Sequence, residues 1–463
     1  MDDRKDRSPV IILGAGICGL YAAHKLAERK IPVIVLEKEA VPGGLAAGFE
    51  RNGNCYDLGV HHLHGFDREI LTDIQNLMGE RLQPVELKAL IRHGKGFHQY
   101  PLQFTDMLGS IPPWTLVGAL SGILIQQIIN QFDKSTASDA EEALVRIYGR
   151  PLYNYFFRDF THAYWGLPAS QLSAVFVRSK MPRLSAVDVI KDHLKKLGFR
   201  FREESTASAL CKETLWYAPS GSREVPEALA NAIINDGGKV LMASPVVRID
   251  TADNKIQAVH FSQEGKPCSF PCSYCLSTIP LPDLIRALHP VPDAKVLDAV
   301  GHLHYKPITV FGLLVRKTTV LNALYVHFRK RIFHRLAEPK NSGLQVSPEG
   351  CTVLIAEMTC EVGDDRWFGG NETRSRLLQD LQAEGLITPE EVLEIHHFNA
   401  RHAYPIFNLG FEEHFQKVMA QLQQIENLQS VGRQGGFSYP NMHATMRMGA
   451  DATKLITSYL NSC

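Results

Sequence analysis

Glycines at Gly14, Gly16 and Gly19 stand in G-x-G-x-x-G spacing, and an acid, Glu37, follows at the distance a nucleotide site requires. The apolar run Pro9 to Leu13 leads into Gly14-Ala15-Gly16-Ile17-Cys18-Gly19, and a helix-patterned run, Leu20 to Arg29, leads out. A second apolar run, Pro32 to Leu36, ends on Glu37. Strand, glycine turn, helix, strand and acid together form a dinucleotide-binding fingerprint. Gly14 permits the tight turn, Gly16 lets backbone approach a pyrophosphate, and Gly19 lets the helix sit close to the strand. The helix start offers unpaired N–H groups and the positive end of a dipole to the phosphates. Glu37 can accept hydrogen bonds from ribose hydroxyls.

Three further blocks narrow the dinucleotide. Val41-Pro42-Gly43-Gly44-Leu45 follows Glu37, and Tyr56-Asp57-Leu58-Gly59-Val60-His61 comes shortly after. Later, Gly221-Ser222, a helix-like run Val225 to Asn235, Gly237-Gly238 and Pro245-Val246-Val247-Arg248-Ile249 occur in order, and Ser277-Thr278-Ile279-Pro280 follows. Near the C-terminus stands Gly432-Arg433-Gln434-Gly435-Gly436-Phe437-Ser438-Tyr439-Pro440-Asn441-Met442-His443, then a helix-like run, Ala444 to Leu460. This set resembles the flavin amine oxidase and protoporphyrinogen oxidase superfamily, and its last block is similar to a motif of UDP-galactopyranose mutases. The resemblance implies FAD as cofactor and an α/β fold: a Rossmann-like FAD domain of the glutathione-reductase type with a mixed α+β substrate domain. It implies cofactor contacts at Gly14, Gly16, Gly19, Glu37, Gly43, Gly44, Leu45, Gly59, Val246, Gly432, Asn441 and Met442. It also implies catalytic roles for His61, Arg433 and Tyr439 beside the flavin ring.

The elements that must position these residues follow from length and composition. A chain of 463 residues implies roughly two to three domains. Hydrophobic residues make up 45% and charged residues 21%, which are globular values. Lys+Arg and Asp+Glu number 49 each, so nothing favours nucleic acid as a partner. The expected division is a discontinuous FAD domain over 7–90, 215–290 and 425–463, interleaved with a substrate domain over 91–214 and 291–424. Met1 to Ser8 lacks an apolar core, so a cytoplasmic protein is expected.

In the middle of the chain, Ile111 to Asn130 is strongly apolar, begins at Pro112-Pro113 and carries no Lys or Arg. It falls short of the roughly 20 apolar residues of a membrane span. A buried helix is the first expectation, and a peripheral membrane contact the second. Ser138, ahead of Glu141 and Glu142, suggests a capped helix. Phe156 to Pro168 resembles the superfamily's substrate-domain segment, with Trp165 either over the substrate or in the core. Arg178, Lys180 and Arg183 could gather an acidic group or form a solvated face. Val310 to Val315, Tyr325 to Phe328, Phe333 to Pro339 and Thr352 to Met358 read as strands.

The nine cysteines are an odd, scattered set and suggest reduced thiols. Cys268, Cys272 and Cys275 fall in an expected hairpin with no fourth ligand at metal spacing, so no metal is expected. His61 is placed at the flavin, whereas His62 and His64 suit the substrate side or the core. The expected reaction is oxidation of a C–N or C–C bond of a small organic substrate by hydride transfer to flavin N5. The alternative is a sugar-nucleotide mutase without net redox change. There Arg433 and Tyr439 match diphosphate-binding positions, but Asn441 stands where that family has Asp.

Overall fold

In the computed structural model, residues 8–94, 96–100, 113–132, 136–180 and 214–462 are described. A five-stranded parallel sheet is ordered Lys239–Leu241, Val33–Leu36, Val10–Leu13, Tyr274–Ser277, Leu428–Ser430. Val10–Leu13 is buried on both faces, as parallel strands require. Val10 and Ile12 pack with Leu20, Leu229, Met446 and Ile456 on a helical layer. Ile11 and Leu13 face the other way, toward Ile249, Val259 and Phe261. Alternate residues of one strand thus serve two different layers.

The helical layer comprises Ile17–Glu28, Glu224–Asn235 and Met442–Ser462. The first and last touch so closely that a Cβ on Gly449 would lie 2.5 Å from the Cys18 carbonyl oxygen. The opposite layer is a meander, Val246–Ala252, Lys255–Gln263 and Lys266–Pro271, with Leu288–His289 at its edge. Helices, parallel sheet and meander form the three-layer Rossmann-like arrangement expected. The first helix begins at Ile17, three residues before its apolar pattern declares it.

A second, seven-stranded sheet is ordered Val392–Pro405, Tyr305–Val315, Thr352–Thr359, Arg335–Ala337, Tyr325–Phe328, Ala89–His93, Gly96–Tyr100. Only the Tyr325–Phe328 and Ala89–His93 pair is parallel. Lys306 to Val315 is buried throughout. Val310 and Leu314 face the aromatic core, while Phe311, Leu313 and Val315 pack with Leu377 and Leu381 of the Asn371–Ala383 helix. Tyr56, wholly buried, joins the glycine-rich segment to this sheet by lying flat on Gly312, where a Cβ would meet its ring at 2.3 Å.

Three expectations need correction. The Ile111 to Asn130 segment forms a helix, Pro113–Phe132, but it is not simply buried. Trp114, Val117, Leu124, Ile125, Ile128, Ile129 and Phe132 are exposed, because the close packing falls on the other side, where Gly122 meets Pro151 of the Ala140–Leu152 helix. The cap of that second helix is Asp139, which accepts from the Glu142 amide at 2.8 Å, while Ser138 donates to Glu142. Cys268 lies in the meander but Cys275 lies in the parallel sheet, so the three cysteines do not share one hairpin. Among the described residues, no group of three His, Cys, Asp or Glu could hold a metal ion. The side chains of Arg178 and Lys180, and all of Arg183, lie outside the described residues.

Candidate active site

The parallel strands end on one edge, and the turns that leave them open into a single long cavity of about 1870 Å³. That exceeds the roughly 300–1,000 Å³ of an ordinary ligand pocket and suits a dinucleotide with a substrate beside it. Gly14 leaves its strand at φ +98°, and its Cβ would strike Thr278 Oγ1 at 2.7 Å. Thr278 itself is tied by its hydroxyl to the Leu13 carbonyl at 2.8 Å. Gly19 has no room at all, since its Cβ would lie 2.2 Å from the Gly14 carbonyl oxygen. Gly16 is the opposite case: a Cβ there meets nothing within 4 Å, and the residue lines the cavity. The glycine whose role is to admit a ligand is therefore the one facing open space.

Glu37 lines the same end. Its Oε2 accepts from the Ala15 amide at 2.7 Å and its Oε1 from the Glu39 amide at 2.9 Å. Burial pushes its pKa up, against the pull of those two bonds. Each oxygen keeps a second lone pair for a ribose hydroxyl. Gly43, at φ +116°, donates to the Ala15 carbonyl and brings Gly44 and Leu45 to the cavity wall. Val246 starts the meander and lines the cavity. On the far side, Gly432 turns at φ +85° against Cys18, and Asn441 and Met442 line the cavity where the Met442–Ser462 helix begins. Gly59 faces Glu357, whose Oε2 would lie 2.8 Å from a Cβ there. Gly14, Gly16, Glu37, Gly43, Gly44, Leu45, Val246, Asn441 and Met442 thus line one cavity, whereas Gly19, Gly59 and Gly432 shape the turns behind it and Gly59 lies against the aromatic end; the Gly16 opening and two helix starts fit a bound FAD.

The other end is aromatic and cationic. His61 reaches it, and burial, then Arg335 and Arg433, depress its pKa to about 4, so the ring is neutral at neutral pH. Tyr439 and Tyr404 stand 4.9 Å apart at 64°. The Arg433 guanidinium lies 4.8 Å from the Tyr404 ring and 4.2 Å from the Tyr439 ring. Tyr164 and Tyr439 share a hydroxyl contact at 3.1 Å. Trp165 is 3% exposed yet lines the cavity beside both Tyr404 and Tyr439, so it is both core anchor and wall. His62 bonds Ser342 Oγ at 2.7 Å, and His64 stacks with Phe66 and lies near His443 at the cavity mouth.

Sequence reasoning missed the charged hub behind this wall. Glu357, 1% exposed, accepts from Arg335 Nη2 at 2.5 Å, Tyr404 OH at 2.6 Å and His334 Nε2 at 3.0 Å. These partners hold its carboxyl far below the usual range despite burial. Arg335, Glu357 and Tyr404 come from separate strands, Arg335–Ala337, Thr352–Thr359 and Val392–Pro405, so no local motif announces the hub. The available signal was a lone charged residue inside each of two apolar strands.

Residues 17–434 match the model of the family described as flavin containing amine oxidoreductase. Among curated relatives, prolycopene isomerase 1 of an Oncidium hybrid cultivar is 28% identical over 284 residues, covering 54% of this chain and 45% of that protein. Bovine (Bos taurus) flavin-containing amine oxidase A is 25% identical over 292 residues, covering 61% and 51%. The matched stretches thus span about half the length of these relatives. Among solved structures, reduced UDP-galactopyranose mutase aligns with TM-score 0.79 at 19% identity, covering 98% of this chain and 94% of that one. Putrescine oxidase bound to putrescine aligns with TM-score 0.65 at 15% identity, covering 97% and 99%. Both structural likenesses concern the fold. By the span of the family match, the chain belongs to the flavin-containing amine oxidoreductases, a family whose cofactor is FAD.

Proposed function

We propose that this protein oxidises a C–N or C–C bond of a small organic substrate at the aromatic end of its cavity. When bound, FAD supplies the hydride acceptor, its N5. The observation that carries this reading is the continuity of the cavity, which leads from the glycine cradle at Gly14, Gly16, Gly43 and Gly44 to His61, Arg433 and Tyr439. The chain's own residues then have defined tasks. The backbone at Gly16 and the start of the Met442–Ser462 helix bind negative charge and ring polarity. Glu37 and Val246 position the cofactor, and neutral His61 with Tyr439 orient the substrate and exclude water. The division into an FAD part over 7–90, 215–290 and 425–463 and a substrate part over 91–214 and 291–424 belongs to the same proposal.

The test is anaerobic mixing of oxidised holoprotein with candidate reductants while watching the flavin absorbance. Bleaching by one class of compound supports the reading. A mutase reading has one observation in its favour: Arg433 and Tyr439 sit together in the cavity. It expects the oxidised protein to be inert and the reduced protein to convert UDP-galactopyranose with no net electron flow.

Location is part of the proposal. Among the described residues, no helix is long and apolar enough to cross a membrane. The exposed residues Trp114, Val117, Leu124 and Ile128 follow helical spacing along one face. The helix packs on Ala140–Leu152, whose Tyr148 lines the cavity. We read this as a cytoplasmic enzyme that rests this face on an uncharged membrane surface, one helix away from its substrate cavity.

A further inference from the structure

The Tyr404 and Tyr439 rings form a corner whose electron-rich faces would attract a cation. The protein has filled that corner itself. Arg433 lies over both rings, at 4.8 Å and 4.2 Å from their centres. Its Nε is buried with no hydrogen-bond partner, and no carboxylate of the described residues pairs with it. The buried carboxylate behind this wall, Glu357, is consumed by Arg335, His334 and Tyr404. Arg335 is therefore neutralised and His61 is neutral, so Arg433 stands at this corner as a positive charge with no paired carboxylate among the described residues. A protonated amine entering here meets that charge at close range and finds the aromatic faces taken. An anion meets an unpaired guanidinium in a partly desolvated wall, where a charge-assisted hydrogen bond is strong. Beyond it Ile91, Phe156, Phe157, Phe160 and Tyr148 give the wall a broad apolar stretch, with neutral His327 and with Arg329, paired to Asp159, among them.

We propose that Arg433 sets substrate class: the cavity takes an organic anion with an apolar body, and it rejects protonated amines. What reaction follows binding rests on the flavoenzyme reading above; the charge preference does not. The test uses two probes that differ only in head group, octanoate and octylamine, titrated calorimetrically into the holoprotein near neutral pH. Octanoate should bind saturably and at least about tenfold more tightly than octylamine, which corresponds to about 1.4 kcal/mol. Arg433→Ala should lose octanoate binding by a similar factor and gain octylamine binding, because the guanidinium no longer covers the two rings. Arg433→Lys should keep the preference for octanoate. Octylamine binding as tightly as octanoate in the unaltered protein, or no binding of either probe, overturns the proposal without any variant being needed. Calorimetry reads binding whether or not the flavin is reducible, so a failure of the redox reading shows separately, in the flavin absorbance.

Discussion

At the scale of single residues, the neighbouring glycines Gly16 and Gly19 make opposite predictions. Gly19→Ala drives a methyl to 2.2 Å from the Gly14 carbonyl oxygen, so it should lower thermal stability and FAD content together. Gly16→Trp points into open cavity, so it should yield a folded but colourless protein. Circular dichroism and the flavin absorbance separate the two outcomes, and a fully yellow Gly16→Trp variant would remove Gly16 from the cofactor site. Glu357 supports a second prediction. Glu357→Gln leaves Arg335 as a buried charge without its counter-charge, a change that typically costs about 3–5 kcal/mol, measurable by denaturant unfolding. These two cases show what was legible beforehand. The glycines act within one turn, so their spacing declares them. The Glu357 hub is assembled from strands far apart in sequence, and each member looks locally like a stray charge.

At the scale of elements, two parallel strands, Val10–Leu13 and Val33–Leu36, were legible because they are apolar runs bounded by glycine and acid, whereas the three-residue edge strand Leu428–Ser430 is too short to show a pattern. Helix boundaries were less so. The Ile17–Glu28 helix starts inside the glycine motif, where composition signals a turn. The Pro113–Phe132 helix is the larger surprise, since an apolar pattern cannot tell a buried face from an exposed one. Its inner contact is tight: a Cβ on Gly149 would lie 2.6 Å from the Gly122 carbonyl carbon. Gly149→Ala should therefore loosen the docking of this helix and raise amide exchange along it. On the outer face, Leu124 and Ile128 are 52% and 57% exposed. Replacing both with Glu should leave FAD content and melting temperature nearly unchanged while abolishing flotation with uncharged liposomes. Retained flotation would withdraw the membrane-contact proposal.

At the scale of the whole molecule, the cavity wall carries histidines that burial keeps neutral. Burial depresses His62 and His327 to about 3 and His61 to about 4. An unfolded histidine titrates near about 6.5, so below that pH the unfolded chain binds more protons and the native state loses stability. The contribution is present above about pH 6.5 and is lost as pH falls toward 4. The melting temperature should fall across this window, and His327→Phe should make the fall shallower than in the unaltered protein. An equal slope in the two proteins would show that these rings do not carry the effect.

The proposed oxidation requires this site to pass electrons onward from its substrate. The most direct test is to photoreduce the holoprotein without oxygen and then mix it, separately, with air-saturated buffer and with a soluble quinone. The oxidised-flavin absorbance should return within seconds with at least one of them. A flavin that stays reduced for many minutes against both, while the reduced protein converts UDP-galactopyranose, would contradict it.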